Sequence, residues 1–227
     1  MLVGIRRGEH DLSCALCETR KERRFCPAIH GRICPQCCGE QREVTLDCPS
    51  DCPYLRQARQ HEKPYSAQVS GEELFLDVEV SDQFLYEREH LLVGLSYGLA
   101  RAARANRLLN DRDLIGALRD ACASQQTLVR SGLHAAQPTL SAAQAAIIAE
   151  IQAMLNQYGE VERRETGRSS LTGTDTLRAL VFLVRMAYSR TSGRLKSRAL
   201  VDFLLAEFPE TESGPASPQA AGSIVIP

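Results

Sequence analysis

The chain has 227 residues, of which 44% are hydrophobic and 24% are charged, and its formal net charge is −1. This composition is that of a globular protein, and it excludes extensive disorder and a protein-wide basic field for nucleic acids or acidic membranes. No apolar run approaches the roughly 18 residues of a membrane span, and the N-terminal MLVGIRRGEHDLS has no apolar signal segment. We therefore expect a cytoplasmic protein that does not bind membranes.

Residues 1–65 form the first predicted domain, which is rich in cysteine and proline. Because proline interrupts helices and central strands, only short elements are expected here. Two C-x2-C pairs are typical of metal sites, since a tight turn presents both thiolates to one ion. Pro53 predicts the first turn of a short helix directly after Cys52. The eight cysteines of this domain are Cys14, Cys17, Cys26, Cys34, Cys37, Cys38, Cys48 and Cys52.

The spacing of these cysteines predicts a small cross-brace finger with two zinc ions. Zinc suits tetrahedral thiolate sites, and a region poor in apolar residues needs a metal to fold. The first ion would be bound by Cys14, Cys17, Cys34 and Cys37, and the second by Cys26, Cys38, Cys48 and Cys52. His30 competes with Cys38 for the second site, since His30 follows Cys26 at the same interval as Cys52 follows Cys48.

An iron–sulfur protein is the alternative reading of the same cysteines. Four Cys-Pro steps favour it, but the C-x2-C-x2-C run typical of bacterial ferredoxins does not occur. Disulfides are not expected, because the cytoplasm keeps thiols reduced.

One string within this domain resembles a known motif. ICPQCCGEQREVTLDCPSDCPYLRQAR, from Ile33 to Arg59, follows a C-x2-C pair and the tetrapeptide FCPA. It resembles the N-terminal motif of a group of uncharacterised bacterial proteins, which implies a zinc-binding domain and brings no activity with it. The spacing is also similar to that of cross-brace fingers of the B-box and HIT type, although B-box fingers usually end in histidines where this chain has cysteines.

The rest of the chain is predicted to be helical after a short extended linker. The linker is residues 66–80. Within it one face carries Leu74, Leu76, Val78 and Val80 and the other carries Phe75, Asp77 and Glu79, a pattern typical of one short strand. Residues 81–209 predict an all-helical bundle of about five helices, and residues 210–227 a disordered tail. The expected helices are Ser81 to about Leu108, Asp111 to Arg130 with Gly132 as its stop, one from Ser141, a central buried one from Thr172 to Ser189, and Ser197 to Phe208. The predicted fold class is therefore mainly α.

No catalytic pattern accompanies the cysteines. H-E-x-x-H, G-x-S-x-G and phosphate-loop motifs do not occur, and eight thiolates would close both zinc sites to substrate. Cys122 lies on an apolar helical face and is predicted to be a core residue. We expect no catalytic residue and a non-enzymatic protein-interaction or regulatory module that binds a protein partner.

Two other functions remain open from the sequence. A thiol/zinc redox sensor could use the adjacent Cys37–Cys38 pair. A nucleic-acid-binding regulator could use two basic loops, although two Zn2+ ions with eight thiolates would give residues 1–65 a formal charge of about −2, which repels phosphate. The residues of these loops are Arg20, Lys21, Arg23, Arg24, Arg190, Arg194, Lys196 and Arg198.

Overall fold

The computed structural model describes residues 13–63, 65–133 and 141–210. The chain divides into two compact units. The cysteine unit comprises the chain up to Glu62 together with Arg194–Lys196, and the helical unit comprises Lys63–Gly193 and the chain from Ser197 onward. The predicted disordered tail, apart from its first residue, lies outside the described residues.

The cysteine unit consists of short elements around a small core. Strands β1 (Arg24–Cys26) and β2 (Gly31–Ile33) pair antiparallel, and helices α1 (Pro35–Gln41) and α2 (Pro53–His61) each begin at a proline, as expected for the first helical position. Among the described residues of this unit, the buried apolar side chains other than cysteine are Ile33, Leu46 and Leu55. So small an apolar core does not offset the entropy of ordering about fifty residues.

The helical unit contains the remaining helices of the described residues. They are α3 (Asp82–Glu87), α4 (Glu89–Ala105), α5 (Asp111–Ser131), α6 (Ala142–Thr166), α7 (Gly173–Arg190) and α8 (Ala199–Glu207). Helix α5 packs against α6 and α7, and α4 packs against α6. A Cβ atom on Gly98 would lie 2.7 Å from the Met154 Cγ, so α4 and α6 approach each other closely at this glycine. Helix α7 is buried on most sides, as predicted for the central helix.

Capping side chains determine where the long helices begin. Asn110, Ser141 and Thr172 each accept the amide of the third residue of the helix that follows, and the side chain of that residue accepts the cap amide in return. Gly132 ends α5 in the left-handed conformation with φ 70°, which confirms the predicted stop. No helix in the described residues is both long and apolar enough to cross a lipid bilayer.

The single helix predicted from Ser81 to Leu108 is wrong, because the structure breaks it at Arg88. The Arg88 backbone leaves the helical region with φ −112° and ψ 20°. The Arg88 guanidinium bonds to Glu162, Ser170 and Asp175, which are distant in sequence. Helices α3 and α4 are therefore separate elements, and α4 ends at Ala105.

The strand predicted between Leu74 and Val80 is also wrong. This segment consists of turns after a short 3-10 helix at Tyr65–Gln68. A lone strand would leave its carbonyl groups without a partner. Instead, the Arg185 guanidinium donates to the carbonyl oxygens of Leu74, Phe75 and Val78 at 2.7 to 3.0 Å. Phe75 has φ 51° and packs against the core, whereas Leu76 is 65% exposed.

Candidate metal centre

Four thiols that the sequence assigns to one ion lie together in the cysteine unit. The Sγ atoms of Cys14, Cys17, Cys34 and Cys37 are all within 4.8 Å of one another. Zinc–sulfur bonds of about 2.3 Å place the sulfurs of a regular tetrahedron about 3.8 Å apart. The four thiols therefore fit a single metal ion that is bound through sulfur alone.

Each C-x2-C pair is held by a turn that directs a backbone amide at a sulfur. The Leu16 amide donates to the Cys14 Sγ at 3.5 Å. Cys34 is the N-cap of α1, and its Sγ accepts the Cys37 amide at 3.3 Å. Such bonds favour the thiolate, which is the form that binds metal, and they orient its lone pairs.

The surroundings shift the thiol pKa values of this set in opposite directions. Hydrogen bonds from the Thr19 side chain and backbone lower the pKa of Cys17 to about 6. The Cys37 amide lowers the pKa of Cys34. Burial raises the pKa of Cys37 to about 12, with further increases from its neighbouring thiols. The surroundings thus favour the thiolate at Cys17 and Cys34 and the neutral thiol at Cys37.

A guanidinium also contacts this first set. The Arg20 Nη1 lies 3.8 Å from the Cys34 Sγ and 3.9 Å from the Cys37 Sγ. Its contact with Cys34 raises the pKa of Arg20. A positive charge therefore lies beside the sulfurs on which negative charge accumulates.

The second predicted set of cysteines lines one small cavity. Cys26, Cys38, Cys48 and Cys52 surround a void of about 10 Å³, together with Leu55 and other side chains. A void of this size holds roughly one water-sized sphere. Among the described residues, only the first set has all its sulfurs within 4.8 Å. Burial raises the pKa of Cys48.

His30 lies apart from this cavity. It is exposed in the turn between β1 and β2 with φ 49°, and the side chains that line the void do not include it. Cys38 does line the void, and its Sγ accepts a bond from the Arg24 Nη1 at 3.4 Å. Of these two residues, Cys38 is the one that lies at the cavity.

The first basic loop is divided between sulfur contacts and solvent. Arg20 and Arg24 contact cysteine sulfurs, and Arg24 also lies 4.6 Å from the centre of the Tyr54 ring. Lys21 and Arg23 are exposed. Half of the predicted phosphate-binding set in this loop is therefore engaged within the protein.

The second basic loop contacts backbone groups and one aromatic ring. Arg194 donates to the carbonyls of Gly39 and Arg42, and the Lys196 Nζ donates to the Thr45 carbonyl and the Asp47 carboxylate. These contacts explain why residues 194–196 belong to the cysteine unit and not to the predicted helical domain.

The other two arginines of this loop lie in the helical unit. Arg198 donates to the carbonyls of Arg107 and Leu109, and Arg190 lies 4.2 Å from the centre of the Phe203 ring. A phosphate ligand would have to compete with these contacts.

Sequence reasoning missed two features of the cysteine unit. It considered Arg20 and Arg24 only as phosphate-binding residues of the nucleic-acid alternative, although their proximity in sequence to the cysteines could have indicated contact with sulfur. It also overlooked Glu43, which is 1% exposed, has φ 53° and pairs with Arg59 at 2.7 Å. Nothing local in the sequence marks that buried carboxylate.

The ninth cysteine, Cys122, is fully buried in the helical unit, which confirms the prediction that it is a core residue. Burial raises its pKa. All nine cysteines lie in the described residues and are free thiols.

Comparison with known proteins finds no relative of this chain. No family profile, curated protein or solved structure matches it.

Proposed function

We propose that this protein is a zinc-stabilised, non-enzymatic interaction or regulatory module of the cytoplasm. The observation that carries the proposal is the set of Cys14, Cys17, Cys34 and Cys37, whose sulfurs lie within 4.8 Å of one another. Four thiolates fill the four positions of tetrahedral zinc and leave none for water or substrate. A closed site of this kind is structural.

The close spacing of the sulfurs supports a single ion over an iron–sulfur cluster. The cysteines of a cluster bind two irons in [2Fe–2S] or four in [4Fe–4S], so sulfurs on different irons lie farther apart than sulfurs around one central ion. The resemblance of residues 33–59 to a bacterial zinc-binding motif supports the same choice. Zinc is accordingly the ion that we assign to the first site.

A second zinc ion in the cavity of Cys26, Cys38, Cys48 and Cys52 completes the proposal. The four thiols share one void of about 10 Å³, and Leu55 of α2 is buried beside them. The ligands of the two sites interleave along the chain, as in a cross-brace, since Cys26 lies between the two C-x2-C pairs of the first site. Binding of both ions would fix the loops that the small apolar core leaves without support.

Exposed apolar side chains favour a protein partner over a nucleic acid. Leu16, Phe25 and Ile29 of the cysteine unit are 40%, 53% and 38% exposed. Protein interfaces use such side chains, whereas phosphate binding needs available cations. The side chains of six of the eight predicted phosphate-binding residues make contacts within the protein.

Elemental analysis tests the zinc proposal on full-length protein purified without added metal. We expect two zinc ions per chain and no visible absorption. Cys17→Ser should lose the first ion and Cys48→Ser the second, whereas Cys122→Ala, the matched control outside both sets, should keep both. Protein without metal, or iron with a broad visible absorption, would contradict the proposal, and one zinc per chain would contradict the second site.

A binding assay tests the choice of partner class. The proposal predicts no binding to mixed RNA or DNA at ~50 mM salt, where phosphate contacts are strong. Binding that weakens steeply as salt increases would instead favour the nucleic-acid alternative.

A further inference from the structure

The two proposed metal centres create a charge that the protein has to balance. Zn2+ with four thiolates carries a formal charge of −2, and the sulfurs are largely shielded from water, since six of the eight cysteines are buried. Charge that is removed from water requires a partner close by. This inference rests on the proposed function.

One arginine reaches the first set. Arg20 lies in the loop between Cys17 and β1, and its Nη1 contacts the sulfurs of Cys34 and Cys37 at 3.8 and 3.9 Å. The Arg20 side chain thus contacts the second C-x2-C pair. The Arg20 backbone contacts the first pair, since its carbonyl accepts the Cys14 amide at 2.8 Å. The side chain is exposed, which weakens its electrostatic effect.

A different arginine reaches the second set. Arg24 and Cys26 alternate with Phe25 along β1, so they lie on the same face of the strand. The Arg24 Nη1 donates to the Cys38 Sγ at 3.4 Å, and its guanidinium packs 4.6 Å from the centre of the Tyr54 ring. Arg24 is half-buried, and the aromatic contact restricts its orientation.

We propose that Arg20 and Arg24 are positioning residues of the metal centres, each offsetting part of the negative charge of one set. The retention of each ion then depends on its own arginine. Because Arg24 is the less exposed and makes the shorter contact with sulfur, its effect is the larger. Partners of metal ligands typically change metal affinity by about 10- to 100-fold.

Competition with a coloured zinc chelator measures this effect on the full-length zinc-loaded protein. We expect Arg24→Gln to weaken retention of one zinc by about 10- to 100-fold and Arg20→Gln to weaken the other by less than about tenfold. Arg24→Lys should recover part of the loss, since it keeps the charge without the planar fork. The matched controls Lys21→Gln and Arg23→Gln remove exposed charges of the same loop and should behave as wild type.

Cadmium-113 substitution assigns each effect to a site. The wild-type protein should give one resonance per centre, and Arg24→Gln should change the resonance that Cys48→Ser removes. The inference is overturned if both glutamine variants release zinc as wild type does, if the two controls weaken retention equally, or if either arginine variant affects both ions equally. Wild-type protein without zinc would overturn the proposed function itself, and this is established before any variant is compared.

Discussion

Each of the two units of this chain is stabilised internally in a different way. The helical unit buries a continuous apolar core from α4 to α8, which includes Leu95, Leu118 and Leu183. The described residues of the cysteine unit bury three apolar side chains besides their cysteines. Because both units have to offset the entropy of ordering a chain, the cysteine unit needs bonds of another kind. Metal–thiolate bonds are the kind that its composition provides.

Removing a thiolate ligand should have the largest effect. Cys17→Ser or Cys48→Ser should unfold the loops around the ion that each variant loses, because structural zinc contributes about 10–16 kcal/mol in zinc-finger peptides. The far-UV circular dichroism signal of the helices should be largely retained. Cys122→Ala should leave zinc content unchanged. Joint collapse of helical signal and zinc binding in Cys17→Ser would contradict the separation of the two units.

Truncation of a core side chain tests whether the apolar core stabilises the helical unit. Leu118→Ala on α5 removes a fully buried side chain and should lower the free energy of unfolding of the helical unit by about 2–5 kcal/mol. Zinc content should stay at the wild-type value. Chemical denaturation measures the loss, with Leu108→Ala, at a side chain 88% exposed, as the control that should stay within about 0.5 kcal/mol of wild type. Loss of zinc in Leu118→Ala would contradict the prediction that metal binding does not depend on the apolar core of the helical unit.

Acid should weaken the helical unit through Glu162 on α6. Burial opposes ionisation of Glu162, but hydrogen bonds from Ser170 and Ser169 and the charge of Arg88 outweigh it and lower its pKa to about 2. Because the folded pKa is lowered, this stabilisation is complete above pH ~4.5 and is lost as the pH falls toward ~2.

The variant Glu162→Gln should cost about 2 kcal/mol at neutral pH, since it weakens charge-assisted hydrogen bonds. The difference from wild type should shrink as the pH falls below ~4.5. Urea titrations at several pH values measure this, with the exposed Glu160→Gln as the control. A difference that is constant with pH would contradict the role of the Glu162 charge.

Removing one helix cap should have the smallest effect. Asn110→Ala removes the acceptor for the Arg112 and Asp113 amides at the start of α5 and should cost about 1 kcal/mol. Asn110→Ser keeps an acceptor and should recover most of the loss in thermal unfolding. Equal stability of Asn110→Ala and wild type would show that the cap is dispensable.

Local features of the sequence were sufficient to predict much of this architecture. Ser141, Thr172 and Gly132 mark helix ends through bonds to their own neighbours, so their roles can be recognised from sequence. The first metal set could be predicted because the two-residue gap of each C-x2-C pair is also a local constraint. The second set contains no C-x2-C pair, so its assignment rests on the cysteines that the first set leaves over and stays a prediction, although all four line one cavity.

The features that were not predicted depend on residues far apart in the chain. The break at Arg88 involves Glu162 and Asp175, and the turns before Val80 involve Arg185. The place of residues 194–196 in the cysteine unit depends on bonds to carbonyls, such as that of Glu43, which accepts the Lys196 amide at 2.7 Å. No periodicity or spacing encodes such contacts.

The measurement that tests the central claim most directly is amide hydrogen exchange of the full-length protein before and after zinc is removed by a chelator. The account predicts that residues 13–62 lose protection from exchange while α4 to α7 keep theirs, since metal holds the first region and an apolar core holds the second. Unchanged protection of residues 13–62 after complete zinc removal would contradict the claim that metal binding holds the cysteine unit together.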